Sequence, residues 1–182
     1  MIHTPSHSNL RPTQARLRQA LFNSLQASIP GAKVLDLFAG SGALGFEALS
    51  RGASEVVFVE QSRPTLKLIE KNAAALRVQD RVEIVGESVA RVWPRLQRLA
   101  PFDLVLADPP YSEGWEEKLL SDLPWDEMLT PQGCFCLEWG AQKSLVDELP
   151  DEPPLLVKIR EKNYGDSVLT TYRLRGGKVT ET

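Results

Sequence analysis

The chain has 182 residues, of which 42% are hydrophobic, 25% charged and 7% aromatic. This length predicts one domain, and the composition supplies enough apolar side chains for a single substantial core. The same composition excludes a fully disordered chain, and no apolar run approaches the roughly 18 residues needed to span a membrane. The N-terminal MIHTPSHSNLRPT contains no apolar segment of the secretory-signal type, so we expect a cytoplasmic protein.

The cysteines and histidines favour neither a disulfide framework nor a metal centre. Cys134 and Cys136 are two residues apart, so in a strand they point to the same face and are poor disulfide partners. Both histidines, His3 and His7, lie in the N-terminal tail. This placement argues against a zinc site and against a histidine-centred catalytic triad.

The net charge of −3 is unevenly distributed along the chain. Residues 113–152 carry eleven acidic and two basic side chains, whereas residues 1–112 and 153–182 each carry three more basic than acidic ones. A basic face made by the two ends of the chain could meet a polyanion. A solvated acidic surface with no partner explains the same counts equally well.

Apolar residues at every fourth position predict a helix near the N-terminus. We expect a flexible tail over residues 1–10 and a helix over residues 11–29, whose apolar stripe is Leu17, Leu21, Leu25 and Ile29. Further on, short apolar runs alternate with helical spacing. The predicted strands cover residues 34–38, 56–59, 82–85, 103–107 and 134–139. The predicted helices contain residues 46–49, 64–76 and 89–99, and Pro94 kinks or interrupts the last.

The C-terminal third has a different pattern. The acidic residues 113–130 favour short helices, residues 141–149 favour another, and residues 155–160 and 167–174 form a hairpin around 163–166. Strands that alternate with helices predict a parallel sheet with helices on both faces, and the hairpin adds at least one antiparallel strand. Ligands of such sheets bind beyond the carboxyl ends of the strands.

A glycine-rich turn follows the first predicted strand and opens a helix. Gly40, Gly42 and Gly45 fit the pattern G-x-G-x-x-G, and Glu60 lies at the tip of the next strand. In a dinucleotide site the glycines let the backbone approach the ligand, and the acid binds ribose hydroxyls. The pattern therefore predicts a ligand that contains adenosine.

Asp36 lies inside an apolar strand, where a carboxylate is costly unless it is satisfied. It could bond the amides of the glycine loop, or it could receive the cationic amino group of a ligand. S-adenosylmethionine has such a group, whereas the pyrophosphate of a nicotinamide dinucleotide fits poorly beside a buried acid. A carboxylate that only braces the loop is the alternative.

The segment from Asp108 to Tyr111, sequence DPPY, ends the fourth strand. Consecutive prolines fix an extended backbone and remove two donors, which leaves the Asp108 carboxylate and nearby carbonyls as acceptors. Such a rim can accept the hydrogens of an exocyclic amine, and Tyr111 can stack on a flat base. We expect Asp108 to be ionised at neutral pH, because an ordinary aspartate titrates near ~3.9.

Glu87 and Ser88 follow the third strand and could bond an adenine edge, or Ser88 could cap a helix.

The segment at 34–52, which contains the glycine-rich turn, resembles motif I of class I S-adenosylmethionine-dependent methyltransferases. More narrowly, the chain resembles the RsmD-like family of bacterial small-subunit ribosomal RNA guanine-N2 methyltransferases. The resemblance rests on VLDLFAGSGALGFEALSRG at 34–52, Glu60, the tetrad at 108–111, the upstream element from RPT at 11–13 to LFNSL at 21–25, and the hairpin residues YGD and TYR at 164–166 and 171–173. It extends from residue 11 to about residue 175.

The resemblance implies a Rossmann-like α/β fold in one domain, with a seven-stranded, mostly parallel sheet whose C-terminal hairpin strand is antiparallel. The cofactor-binding core would cover residues 32–139 and the hairpin residues 155–175. The implied reaction transfers a methyl group from S-adenosylmethionine to the N2 amine of a guanine in 16S ribosomal RNA, without a metal. The partner would be this RNA or the small ribosomal subunit, and we expect a monomer.

The resemblance also implies roles for individual residues. The methionine part of the cofactor would contact Asp36, Gly40, Ser41 and Gly42, its ribose Glu60, and its adenine Glu87, where the family more often has Asp. The neighbouring residues Phe38, Ala39, Gln61 and Ser88 complete the candidate cofactor set. Asp108, Pro109, Pro110 and Tyr111 would orient the target amine, and the candidate RNA-binding residues are Arg11, Thr13 and Arg16.

One departure concerns the N-terminus. Members of the family usually begin with a basic β-hairpin ahead of RPT, where this chain has only MIHTPSHSNL. Fewer cationic anchors for RNA phosphates follow from that difference. Either the remaining basic termini suffice, or a partner helps, or the start lies upstream.

Three other functions fit parts of the same pattern. The first is an amino methyltransferase for another planar substrate, such as adenine N6 or a glutamine amide. The second is an NAD-dependent oxidoreductase, which the glycine pattern and Glu60 favour, and which Asp36 and DPPY oppose. The third is a non-catalytic RNA-binding factor built on a methyltransferase scaffold.

Overall fold

The computed structural model describes residues 12–110, 113–141 and 155–176 of the chain. Its helices are α1 (Pro12–Ser24), α2 (Ala43–Ser50), α3 (Arg63–Leu76), α4 (Trp93–Leu99), α5 (Trp115–Ser121) and α6 (Trp125–Met128). Its strands are β1 (Lys33–Leu37), β2 (Glu55–Val59), β3 (Val82–Val85), β4 (Phe102–Ala107), β5 (Leu129–Gly140), β6 (Leu156–Tyr164) and β7 (Ser167–Leu174).

The seven strands form one sheet in the order β3-β2-β1-β4-β5-β7-β6. Strands β1 to β5 pair in parallel, and β7 pairs antiparallel with both β5 and β6. The chain direction therefore reverses only in β7. The predicted α/β architecture, mostly parallel with an antiparallel C-terminal strand, is confirmed.

The sheet separates two apolar cores, one on each face. Helices α1, α2 and α3 pack on the first face, where Phe22, Phe46 and Ile69 contribute to a core that also contains Val34 and Leu104. Helices α4, α5 and α6 pack on the second face, over a core that includes Leu96, Leu119, Trp125, Leu35 and Val105. Because β1 and β4 are covered on both sides, their side chains are apolar at nearly every position.

Several boundaries differ from the sequence prediction, and three of the differences depend on turns or on proline. Helix α1 ends at Ser24, and a short 3-10 turn (Gln26–Ser28) carries the chain to the buried Ile29. Helix α4 begins at Trp93, so Pro94 lies in its first turn, where a missing N–H costs nothing, and does not kink a longer helix. Only Gly165 and Asp166 separate β6 from β7, because Gly165 adopts a φ of 63°.

The helix predicted at residues 141–149 lies outside the described residues, except for Ala141. Within the described ranges, no helix is long and apolar enough to cross a membrane.

Candidate functional site

The carboxyl ends of β1, β2, β3 and β4 surround a cavity of about 490 Å³. Eight of the residues that the sequence predicted for the site line it: Phe38, Glu60, Gln61, Glu87, Ser88, Asp108, Pro109 and Pro110. The sequence analysis missed four others, Val59, Val89, Glu113 and Trp115. Strand ends that are far apart in the chain meet here because the strands are parallel and in register.

The glycine loop is held against this cavity by Glu60. One carboxylate oxygen of Glu60 accepts a hydrogen bond from the Gly40 N–H at 3.0 Å, and the other accepts one from the Ser62 N–H at 2.7 Å. The buried Asn72 of α3 donates to the Ser41 carbonyl, and the Ala39 N–H donates to the Val59 carbonyl. The loop and the tip of β2 are thus fixed together.

The conformation of the loop explains why glycine stands at its second position. Gly42 has a φ of 80°, and a Cβ there would lie 2.6 Å from the ring of Phe46. Any other residue would be strained and would collide with the core on the first face. The glycines therefore allow α2 to begin directly above β1.

Asp36 lies beneath the loop, with 1% of its surface exposed. Its carboxylate accepts a hydrogen bond from the Gly45 N–H, in the first turn of α2, at 2.9 Å. Burial raises the pKa of Asp36 to about 8, against the lowering effect of the Gly45 bond, and the charges of Asp108 and Glu60 add to the rise. The loop-bracing contact predicted for Asp36 is present, and the ligand contact stays a prediction.

Asp108 follows β4 and is influenced by a carboxylate that the sequence analysis did not single out. Ala107 of β4 pairs with Leu137 of β5, so Asp108 and Glu138 each follow one of these paired residues. Burial raises the pKa of Asp108 to about 7, and the charge of Glu138 adds to the rise. The expectation that Asp108 is fully ionised at neutral pH is therefore wrong for the free protein, because the carboxyl group is largely removed from water.

Two aromatic residues close one side of the cavity. Phe38 has a φ of 57°, which is strained for a bulky side chain at a cost of about 1–3 kcal/mol. Its ring meets Trp115 edge to face, with the centroids 5.1 Å apart. The Trp115 indole N–H donates to Glu113. The chain positions of Trp115 and Glu113, just after the strand-end tetrad, are the sequence signal that could have identified them.

The remaining predicted residues have different positions. Glu87 lies 3.5 Å from a guanidinium nitrogen of Arg95, and the Ser88 hydroxyl accepts a bond from the Ala90 N–H. Ser88 does not cap α4, because that helix begins at Trp93. Arg16 is exposed on α1 and is not among the residues found to line the cavity. Arg11, Tyr111 and the side chain of Thr13 lie outside the described residues.

The electrostatic character of the site is negative. The charges of Glu60 and Asp108 both oppose the ionisation of Asp36, and no ion pair within the described parts of the chain involves any of the three. In those same parts, no group of three or more His, Cys, Asp or Glu side chains could hold a metal ion. A positively charged organic ligand would relieve this repulsion.

The sheet order, the glycine loop after β1 and the cavity at the strand ends define the class I methyltransferase fold. The chain belongs to the family described as "Conserved hypothetical protein 95", whose model matches residues 1–173. Two relatives, from Escherichia coli and Haemophilus influenzae, are named "Ribosomal RNA small subunit methyltransferase D". They are 38% and 35% identical to this chain over 93% and 91% of its length, and 82% of each relative is covered. The RsmD family resemblance is confirmed.

Solved structures agree with this assignment. "Putative methyltransferase yhhF" from Escherichia coli is 31% identical, with a TM-score of 0.77 over 96% of this chain and 92% of that one. A SAM-dependent methyltransferase from Agrobacterium tumefaciens has a TM-score of 0.67 over 93% of this chain and 64% of that one. Because it is 17% identical, the second comparison establishes a shared fold alone.

The position of Asp36 predicts how stability depends on pH. Its pKa is about 8 in the folded protein, against 3.8 for an ordinary aspartate exposed to water, as in the unfolded chain. A raised folded pKa gives a contribution to stability that is complete below pH 3.8 and is lost as pH rises through 8. Asp36→Asn keeps an acceptor for the Gly45 amide and cannot ionise. We therefore expect the variant to gain on the wild type, by at most about 1.4 kcal/mol per pH unit, between pH 5 and 8.

Urea unfolding of both proteins without ligand, at pH 5, 6, 7 and 8, measures this difference. A difference in unfolding free energy that stays constant over this range would show that Asp36 is already ionised in the folded chain.

Proposed function

We propose that the protein transfers a methyl group from S-adenosylmethionine to the exocyclic N2 amine of a guanine in 16S ribosomal RNA. One observation carries the proposal. At one edge of the sheet, Asp36, Glu60 and Asp108 lie close together without an ion pair among the described residues, and Pro109 and Pro110 follow Asp108. The names of the relatives support an RNA of the small subunit as the substrate.

The residues present fit this cofactor better than a nicotinamide dinucleotide. S-adenosylmethionine carries a sulfonium, an ammonium and a carboxylate group, and its net positive charge would lower the pKa of Asp36 and Asp108 and stabilise their ionised forms. A pyrophosphate would add negative charge to a cavity that four acidic residues already line, Glu60, Glu87, Asp108 and Glu113. The NAD-dependent oxidoreductase is therefore the weaker alternative.

We assign the ribose and adenine of the cofactor to residues that line the cavity, and its methionine part to Asp36 and the glycine loop, which are not among those lining residues. Glu60 faces the cavity at the tip of β2, and its carboxylate has lone pairs beyond those used by Gly40 and Ser62 for ribose hydroxyls. Glu87 and Ser88 would meet the adenine edge. Asp36 and the glycine loop would hold the methionine part. When bound, the cofactor supplies an electrophilic methyl group on a cationic sulfur.

Asp108 would act on the target amine. Pro109 and Pro110 present no N–H groups, so acceptors dominate this side of the cavity. The Asp108 carboxylate would accept a hydrogen of the amine and aim its nitrogen at the methyl group, and this positioning is the main source of rate. With a pKa of about 7, Asp108 is also matched to receive the proton that the methylated amine loses.

An amino methyltransferase for another planar substrate remains the second candidate, because the acceptor set would bind any planar amine. Transfer of labelled methyl from S-adenosylmethionine distinguishes the two. Naked small-subunit RNA and undermodified small subunits are incubated side by side, and the products are digested to nucleosides. We expect label in N2-methylguanosine from at least one substrate. Label in N6-methyladenosine, or none in either RNA while the cofactor binds, would refute the proposed specificity.

The division of labour between Asp108 and Asp36 can be tested by substitution. Asp108→Ala is expected to bind S-adenosylmethionine within about threefold of the wild type and to lose at least about a hundredfold in kcat, because positioning is lost. Asp36→Ala is expected to weaken cofactor binding first. Glu138→Gln serves as the matched control, because it should keep most turnover and move the acid limb of the kcat profile to lower pH. Equal loss of affinity and turnover in Asp108→Ala would contradict its role.

A further inference from the structure

A second, smaller cavity lies on the first face of the sheet, where the C-terminal hairpin meets the end of α1. It has a volume of about 160 Å³ and lies between the C-terminal end of α1 and strands β5, β6 and β7. Ser28 comes from the turn after α1, and Arg160 and Arg173 come from the hairpin. We call this cavity the hairpin cleft.

Strand register brings the two arginines to one face. Arg173 pairs with Cys134 of β5, and Arg160 pairs with Thr171 of β7, two residues away. Cys134 belongs to the core on the first face, so these side chains point toward α1 and away from the second core. Two guanidinium groups from neighbouring strands therefore border the same small space.

The donors of the hairpin cleft are incompletely used. The Nε of Arg173 is buried, and it has no hydrogen-bond partner among the described residues. Arg160 is exposed. No carboxylate is found among the described residues that line the cleft. The Ser24 hydroxyl is already bonded to the Leu21 carbonyl, so the Ser28 hydroxyl and the guanidinium N–H groups are the donors offered.

A buried, unpaired guanidinium donor beside a second guanidinium calls for an anion with several acceptor oxygens. Arginine binds phosphate through two parallel N–H groups, which a single carbonyl oxygen cannot match. A cavity of about 160 Å³ leaves room for a small anion such as one phosphate group.

We propose that the hairpin cleft binds a backbone phosphate of the RNA substrate, an inference that rests on the proposed function. Arg160 is three strands away from β4 and level with Leu106, two residues before Asp108. The distance along the sheet from Asp108 to Arg160 is therefore about 16 Å. An RNA strand whose target base enters the large cavity can therefore reach both places. Phosphate contacts here would add cationic anchoring for the RNA.

The alternative is that the two arginines have a purely structural role. Arginines near the C-terminal end of α1 could serve only to balance the partial negative charge of the helix end. In that case their removal would lower stability and leave RNA binding unchanged.

The test compares Arg160→Gln and Arg173→Gln with the control Lys158→Gln in the full chain. Lys158 is on the same strand but pairs with Tyr172, whose side chain belongs to the core on the other face. Filter binding measures the Kd for unmethylated 16S RNA at several KCl concentrations, and calorimetry measures the Kd for S-adenosylmethionine and for inorganic phosphate. We expect each arginine variant to bind RNA about three- to tenfold more weakly. Its plot of log affinity against log salt should be shallower by about 0.7–0.9, the value for one lost phosphate contact.

Lys158→Gln should bind within about twofold of the wild type with an unchanged slope, and no variant should change cofactor affinity. Unchanged RNA affinity and slope in both arginine variants, with or without a lower Tm, would overturn the inference. The inference would also be overturned if both arginine variants lost tight binding of inorganic phosphate but bound RNA as the wild type does. If the wild type itself neither binds nor methylates the RNA, the proposed function fails, and with it the basis of the inference.

Discussion

The central constraint on this protein is the burial of a carboxyl group, that of Asp36, at the carboxyl edge of its sheet. Asp36 is buried under the glycine loop, Glu60 clamps that loop to β2, and Asp108 ends β4. Burial and mutual repulsion keep Asp36 protonated near neutral pH in the free protein. We propose that a cationic ligand completes this site, because a positive charge would favour the ionised form of Asp36.

The fold is what makes such an arrangement tolerable. Parallel strands covered on both faces bring the ends of β1, β2 and β4 together while their apolar side chains stabilise the two cores. The loop glycines allow α2 to start above β1, so that the Gly45 amide satisfies one oxygen of Asp36. Stability from the cores thus offsets the cost of a strained Phe38 and a buried acid.

Sequence alone could predict the architecture and eight of the twelve residues that line the large cavity. Apolar periodicity located β1 to β4, and the glycine loop, Glu60 and the tetrad each follow a strand directly. Glu138 and Trp115 escaped prediction, because their relation to Asp108 and Phe38 depends on the β4–β5 register and on how α5 folds back. The ionisation of Asp108 was misjudged for a related reason, since burial is a tertiary property. The end of α1 and the start of α4 depend on turn geometry that periodicity does not encode.

The most direct test of the electrostatic account is the proton balance of cofactor binding. Calorimetry at pH 7.5, in buffers with different ionisation enthalpies, gives the number of protons released when S-adenosylmethionine binds. The account predicts net proton release, because a bound cation lowers the pKa of Asp36 and Asp108. Release should be smaller with S-adenosylhomocysteine, which lacks the sulfonium charge. No change or net uptake of protons with S-adenosylmethionine would contradict the claim that a cation completes this site.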